Sequence, residues 1–306
     1  MFAKVRTFLV CMAGSVIGAA GAFAADAPEH FSSPDQAVKA LVDATKAGDR
    51  AALDAIFGPD VKELLSGDPR QDAIEFAAFA KLVGQYSHLV QRADDRFVID
   101  LGAQNWTFPI PIVRKGGAWY FDTAAGKDEI VNRRIGEDEL TAIGVCRTYV
   151  LAQREYASED RVGDGVFAYA QKLKSTEGKK DGLYWPAVSD QEQSPFGPLV
   201  AEARAEGYGP NPSGARPRPF HGYLFKILTA QGPSAPGGAY SYLINGNLVA
   251  GFGLVAYPAH WGESGVMTFI VNQWGKVYQC NLGPGGAEFA SAMTTFDPDP
   301  AWTPVP

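Results

Sequence analysis

Apolar positions in the first third of the chain recur at helical spacing in three stretches. Ser33, a proline directly after it and a glutamine three residues on form the pattern of a capped helix start. This helix is predicted to end at Gly48, and a second to run from Arg50 to Phe57. Asp68, again followed by proline, predicts the start of a third. Three helices are therefore expected before the first strand.

Shorter apolar runs follow, with aromatic and β-branched residues typical of strands. Three strands are predicted, the last two joined by the turn Lys115-Gly116-Gly117: Arg96 to Leu101, Trp106 to Arg114 and Ala118 to Asp122. A long helix is predicted next, with Glu137, Asp138 and Glu139 in its first turn, where negative charge complements the helix dipole. It is expected to run to about Tyr156.

The stretch from Ala157 to Pro219 has a different composition, rich in proline, glycine and charged residues. We interpret it as a connection between domains. Because so long an irregular segment is unusual in a compact protein, parts of it, notably Leu183 to Pro186, are expected to pack against a neighbouring surface.

The C-terminal residues predict an antiparallel meander, with Asn245-Gly246 as its clearest hairpin turn. Leu248 to Tyr257 is apolar on both faces, which is typical of a strand buried on both sides. Gly251 and Gly253 within it indicate close approach of other groups. The predicted strands and a short final helix are Gly222 to Thr229, Ala239 to Ile244, Asn247 to Tyr257, Val266 to Asn272, Lys276 to Leu282 and the helix Ala287 to Met293.

These elements predict an α+β protein with two domains. Helices and an antiparallel hairpin occupy residues 25–158, a linker with short helices spans 159–219, and an antiparallel β-sheet domain spans 220–306. With 46% hydrophobic and 12% aromatic residues, the chain can fill a core in each.

The N-terminus is typical of a secretory signal peptide. Lys4 and Arg6 precede an apolar run from Phe8 to Ala20, and small residues at Ala22 and Ala24 predict cleavage after Ala24. The apolar run is shorter than the roughly 20 residues of a membrane-spanning helix. We therefore expect a periplasmic or secreted protein that is not an integral membrane protein.

Net charge argues against nucleic-acid partners. The chain has 27 basic and 34 acidic residues, a net charge of −7, and loss of Lys4 and Arg6 would make it −9. Binding to a phosphate backbone requires clustered lysine and arginine. The expected partner is instead an envelope protein or a small ligand.

Cys146 and Cys280 are the cysteines that remain after cleavage. Export makes a disulfide between them chemically possible, and it would stabilise the fold by about 4 to 5 kcal/mol through chain entropy. Two thiols packed as small apolar groups are the alternative, and the sequence leaves both open.

Several strings along the chain resemble an exported bacterial family catalogued as a domain of unknown function, DUF2950. The resemblance is carried by the strings Phe108 to Pro111, Trp119 to Gly126, Gln153 to Tyr156, Gly222-Tyr223, Lys226 to Pro233, Gly237 to Tyr240 and Gly265 to Asn272. It covers essentially the whole mature chain. The family brings no reaction or ligand, so it implies no site residues.

Two further resemblances concern parts of the chain. The N-terminal helices and the hairpin with Trp119-Tyr120-Phe121 are similar to the cone-shaped domains related to nuclear transport factor 2. The C-terminal half, with Tyr257-Pro258 before Ser264-Gly265, resembles the globular sheet of pilin-like proteins. No prepilin site or long assembly helix accompanies it, although a pilus-like assembly component remains an alternative.

Candidate catalytic residues are concentrated in the segment 259–265. His260, Glu263 and Ser264, with His221 nearby in space, would supply a base and a nucleophile, and a hydrolase is the alternative function. Gly262 to Gly265 lacks one residue of a G-x-S-x-G elbow. The structural alternative is a tight connection in which Trp261 covers the core and His260 bonds a backbone carbonyl.

Ligand-binding candidates are the aromatic side chains Trp106, Trp119 and Trp261, although strand aromatics are more often core. No metal or cofactor is expected. Gly246 and Gly251 have P-loop spacing, but Phe252 stands where lysine is required. The favoured hypothesis is a non-catalytic envelope protein that binds a ligand or a partner.

Overall fold

A computed structural model describes residues 27–66, 68–187, 193–206 and 218–306 of the chain. The predicted signal peptide lies outside these residues. The architecture is mixed α+β with several antiparallel sheets, which confirms the predicted class.

The N-terminal helices form where their caps predict them. The helices are α1 (Pro34–Ala47), α2 (Arg50–Phe57) and α3 (Pro69–Gln85), and a 3-10 helix (Pro59–Leu64), which was not predicted, separates the last two. The Gln36 amide donates to Ser33 Oγ at 3.2 Å, and the Arg70 amide donates to Asp68 Oδ1 at 2.9 Å. Each cap satisfies an amide that the first helical turn leaves unpaired.

The first sheet contains five strands where three were predicted, because one strand was missed and the predicted strand from Trp106 to Arg114 is divided in two. Its strands are β1 (Ser87–Ala93), β2 (Arg96–Leu101), β3 (Trp106–Thr107), β4 (Ile112–Lys115) and β5 (Ala118–Phe121), in the order β1-β2-β4-β5 with β3 on β2. β1 was missed because it is half exposed and largely polar. One face of this sheet packs on the N-terminal helices, where Ile99, Leu101 and Phe121 are fully buried.

The long helix α4 (Thr123–Tyr156) begins fourteen residues before the predicted acidic start at Glu137. Asp122 is the actual cap, since its Oδ1 accepts from the Ala125 amide at 3.2 Å. Gly126, which lowers helix propensity, is required by packing. A Cβ there would lie 2.7 Å from Ile110 Cα. The prediction of the start was wrong because tertiary contact overrides local propensity here.

α4 belongs to both halves of the molecule. Its first half contacts the 3-10 helix, and its second half packs on the C-terminal sheet, where Ala142, Cys146 and Tyr149 are fully buried. Among the described residues, none of the helices is both long enough and apolar enough to cross a membrane.

Residues of the predicted linker cover the C-terminal sheet. Leu183 and Trp185 are buried in the same core as α4, which confirms the expected packing of this segment, and Tyr169 bridges to Leu248. A helix, α5 (Gly197–Ala205), follows.

The C-terminal sheet has the order β15-β13-β12-β11-β6, and β11, which lies between β12 and β6, is buried along its whole length, as predicted. The prediction of a simple meander was wrong, however, because β6 pairs with β11. Of the strands between them, β7 and β8 form a separate three-stranded sheet with β14 from near the C-terminus, and β9 and β10 form the hairpin at Asn245-Gly246. The elements are β6 (Tyr223–Leu228), β7 (Ala230–Gln231), β8 (Tyr240–Ser241), β9 (Leu243–Ile244), β10 (Asn247–Leu248), β11 (Gly253–Pro258), β12 (Thr268–Asn272), β13 (Tyr278–Cys280), α6 (Gly286–Ala292), β14 (Thr295–Phe296) and β15 (Thr303–Pro304).

The predicted strand from Asn247 to Tyr257 is interrupted before Gly253. Gly251 has a φ of 157°, and a Cβ there would lie 2.7 Å from the ring of Tyr242. At Gly251, the group that approaches closely is therefore the aromatic ring of Tyr242.

The two cysteines are free thiols in this structure. Cys146 is buried under one face of the C-terminal sheet, whereas Cys280 packs with the core cluster on the other face. A disulfide would have to pass through the sheet. The open alternative, two packed thiols, is the arrangement observed, and burial raises the pKa of Cys146 to about 12.

Candidate functional site

The His260 loop (residues 259–265) joins β11 to β12 and is closed by its own serine. Ser264 is 2% exposed, and its Oγ donates to the His260 carbonyl at 3.1 Å and accepts from the His260 amide at 3.0 Å. The side chains of His260 and Glu263 are exposed to solvent. The hydroxyl predicted as a nucleophile therefore holds the turn together.

Trp261 lies at the surface of the same loop. Its indole is 38% exposed, and Nε1 donates to Asn281 Oδ1 at 2.9 Å. This bond ties the loop to the segment after β13. The tight connection of the predicted alternative is observed, but Trp261 lies at the surface instead of covering the core, and the His260 side chain is exposed.

His221 lies two residues before β6, beside the His260 loop. Its Nε2 lies 2.8 Å from Glu206 Oε2, at the end of α5. The next residue, Gly222, has a φ of 69°, and a Cβ on it would lie 2.6 Å from Ser264 Cβ and 2.8 Å from Asp138 Oδ2. The structure thus brings the His221 backbone next to Ser264, while the histidine ring contacts Glu206.

Asp138, on α4, has a buried carboxyl group that lies next to Gly222. It is 1% exposed, and Gln71 Nε2 donates to both of its oxygens, at 2.8 and 3.0 Å. Burial raises the pKa of Asp138 to about 6, and the hydrogen bond from Gln71 opposes that shift. From the sequence, Asp138 was predicted to lie with Glu137 and Glu139 in the first turn of the long helix. No local signal distinguished it from the acids beside it.

A second bond between α3 and α4 lies one helical turn away from the first. Arg134, whose side chain is 4% exposed, bonds Glu75 at 3.0 Å and also donates to the Leu64 carbonyl. Burial raises the pKa of Glu75, and the guanidinium opposes it. Buried Gln71 Oε1 and Arg134 Nη1 have no partner among the described residues.

Glu139 connects the same helix to the C-terminal sheet. Its Oε1 accepts from the amides of Val266 and Met267, both at 3.0 Å. We call Gln71, Glu75, Arg134, Asp138 and Glu139 the junction. These side chains fix α3, α4 and the end of the His260 loop to one another.

Trp106 and Trp119, the other ligand candidates, lie in the first half of the chain. Trp119 is 8% exposed and packs edge-on against Phe97 at 5.3 Å, within the N-terminal core. Trp106 is 36% exposed, with the Arg133 guanidinium 5.1 Å from its ring. The structure does not bring either together with Trp261.

An apolar concavity lies where the two halves meet. It is a groove of about 390 Å³. Its floor contains buried Val145, Phe196 and Leu254, from α4, the segment before α5, and β11. Half-buried Leu224 and Phe225 of β6 form a wall.

Four cationic side chains also line the groove. Lys174, Arg204 and Arg218 are exposed and Arg70 is half-buried. The described lining contains no aspartate or glutamate, in a chain whose net charge is −7. The Arg204 guanidinium lies 5.5 Å from the Tyr184 ring. This site could not be predicted from the sequence, because its four cationic residues come from four separate segments of the chain.

A second cavity of about 400 Å³ adjoins the groove and shares Tyr184, Val200 and Arg204 with it. Ser194 lines this cavity. Its side chain is 3% exposed and its hydroxyl has no hydrogen-bond partner among the described residues.

Metal ligands do not converge at either place. Within residues 27–66, 68–187, 193–206 and 218–306, no three histidine, cysteine or acidic side chains are grouped so as to hold a metal ion.

Comparison with known proteins places the chain by family alone. No curated protein and no solved structure matches it, so the likenesses to nuclear transport factor 2 and to pilins stay predictions. The sequence model of a family described as "Protein of unknown function (DUF2950)" matches residues 28–305, nearly the whole chain. The protein therefore belongs to the DUF2950 family.

Proposed function

We propose that this protein is exported to the bacterial envelope and acts there as a non-catalytic binding protein, with the groove as its site. The observation that carries the proposal is the groove itself. Its floor is apolar, it lies where the two halves meet, and it has the size of small-molecule sites, about 300 to 1,000 Å³. Apolar side chains that remain accessible in a concave site favour a ligand that removes them from water.

Binding is tested with a neutral fluorescent probe, N-phenyl-1-naphthylamine, whose emission rises in apolar sites. The mature chain from Ala25 onward is expected to enhance its fluorescence saturably. Ala203, half-buried on α5, lines the groove, so Ala203→Trp fills it and is expected to reduce the affinity at least tenfold. Ala51→Trp, at an exposed position of α2, is the matched control.

Two results would contradict this function. One is the absence of saturable enhancement with the folded wild-type chain. The other is equal affinity of the wild type and Ala203→Trp, which would place the probe elsewhere. Circular dichroism of each variant separates loss of the site from loss of the fold.

Export is tested separately by expression of the full chain in a bacterium and N-terminal sequencing of the periplasmic fraction. The expected first residue is Ala25, since small residues precede the predicted cleavage point. An uncleaved chain confined to the cytosol would contradict this part of the proposal.

The hydrolase alternative has one observation in its favour, which is that Ser264 and Asp138 both contact the Gly222 position. In the structure, however, the Ser264 hydroxyl is hydrogen-bonded to the backbone of His260 instead of to a catalytic base. Turnover of an ester such as p-nitrophenyl butyrate that is lost in the double variant His260→Ala, Glu263→Ala would favour the hydrolase over the binding protein.

A further inference from the structure

We infer that the ligand of the groove is a single-chain amphiphile whose head group is an anion, a carboxylate or a phosphate. This inference rests on the proposed function, because it names the chemistry of the molecule that the groove binds. It is carried by the combination of an apolar floor with described charged side chains that are all cationic.

The floor of the groove selects an apolar chain. Val145, Phe196 and Leu254 are each less than a tenth exposed, and Leu224 and Phe225 beside them are half-buried. None of these side chains offers a hydrogen bond. A polar ligand would lose its hydration here without compensation, whereas an alkyl chain gains free energy from each methylene that it buries.

The charges select the head group. Lys174, Arg204 and Arg218 are exposed while the apolar floor is buried, so the cations stand at the solvent edge and their stems extend the apolar wall. Within the described part of the chain, Arg70, Lys174, Arg204 and Arg218 form no ion pair with an acidic side chain. Arginine in particular binds carboxylate and phosphate through paired hydrogen bonds.

Volume favours a small amphiphile over an acidic peptide helix. A standard protein interface covers about 800 Å² on each partner, and a bound helix needs anchoring pockets over two or more turns. The groove is a single concavity of about 390 Å³, near the lower limit for small-molecule sites. A peptide or a second copy of the chain on this surface is an outcome that the test below can detect.

The experiment compares four ligands of equal chain length by competition against N-phenyl-1-naphthylamine and by calorimetry, below their micellar concentrations. They are decanoate, decyl phosphate, decanol and decyltrimethylammonium. The two anions are expected to bind at least tenfold more tightly than decanol, and the cation more weakly still. The double variant Arg204→Gln, Arg218→Gln is expected to lose about tenfold in affinity for the anions and to keep the affinity for decanol.

Arg92→Gln, at an exposed position of β1 that does not line the groove, is the matched control and should bind as the wild type does. Comparison of decanoate with decyl phosphate, and of both with free acetate and inorganic phosphate, shows which anion is preferred and whether the chain is needed. Anion binding without the chain would overturn the amphiphile.

The outcomes separate the two claims. If N-phenyl-1-naphthylamine binds in the groove but decanol competes as well as decanoate, or the double variant binds the anions unchanged, the anionic head group is wrong and the binding function stands. If the probe does not bind at all, the binding function itself fails. Light scattering of the ligand-free chain detects a second copy on the groove, and a dimer that decanoate leaves intact would also overturn the inference.

Discussion

The His260 loop and the groove differ in how their residues are distributed along the sequence. The loop concentrates a histidine, a tryptophan, a glutamate and a serine in seven consecutive residues, and it was the candidate catalytic site of the hydrolase alternative. In the structure Ser264 bonds its own loop, and His260 and Glu263 face solvent. The groove is assembled from separate segments, each unremarkable alone. Reactive residue types close in sequence are therefore weaker evidence for a site than complementary surfaces that only the fold brings together.

The largest effect on this comparison is expected from Gly222, which holds the loop against α4. Gly222→Ala places a Cβ 2.6 Å from Ser264 Cβ at a φ of 69°. Overpacking of about 1 to 3 kcal/mol adds to a left-handed penalty of about 1 to 2 kcal/mol, so the free energy of unfolding should fall by about 2 to 5 kcal/mol. Urea denaturation measures it.

The matched control is Gly246→Ala, in the hairpin turn. Gly246 has a φ of 84° but no heavy atom within 4 Å of the Cβ position, so only the conformational penalty of about 1 kcal/mol applies. Equal losses in the two variants would mean that the contact of Gly222 with the loop and Asp138 contributes nothing.

The second prediction concerns the pH dependence of the junction. Burial raises the pKa of Asp138 to about 6 from an ordinary value of 3.8, so the folded chain binds this proton more tightly than the unfolded chain. The associated stability is fully present below about pH 4 and is lost as pH rises through 6. The loss is on the order of 2 to 3 kcal/mol.

Asp138→Asn removes this titration and keeps an oxygen for Gln71 to bond. The stability of the wild type relative to Asp138→Asn, from urea denaturation between pH 4 and pH 7.5, is expected to decline with rising pH. A constant or rising difference would show that the carboxyl group is stabilised in its charged form.

How far the sequence predicts this molecule depends on whether a feature is local. Helix caps at Ser33 and Asp68 and the turn at Asn245-Gly246 are decided by adjacent residues and were found. The start of α4 was not found, because the glycine at position 126 is required by close packing against Ile110, which lies sixteen residues earlier in the chain. Asp138 looked like any acid in a helical first turn, and only Gln71, on another helix, reveals its burial. The groove needs five chain segments in place, so no periodicity or motif indicates it.

The smallest effects are expected within the His260 loop, and they separate a structural residue from exposed ones. Ser264→Ala leaves the His260 amide without its partner in a partly buried turn, which should cost about 1 to 2 kcal/mol. His260→Ala and Glu263→Ala remove exposed side chains, so each should change the free energy of unfolding by less than about 0.5 kcal/mol. Urea denaturation of the three variants gives the order.

Binding of N-phenyl-1-naphthylamine adds a functional measurement to the same three variants. Because none of these residues lines the groove, all three should bind the probe with the affinity of the wild type, even where Ser264→Ala lowers stability. Weaker binding in His260→Ala or Glu263→Ala, at unchanged stability, would return the site to the loop and reverse the comparison between the two regions. Unchanged binding in all three variants, together with a destabilised Ser264→Ala, would support a structural role for the loop and ligand binding by the groove.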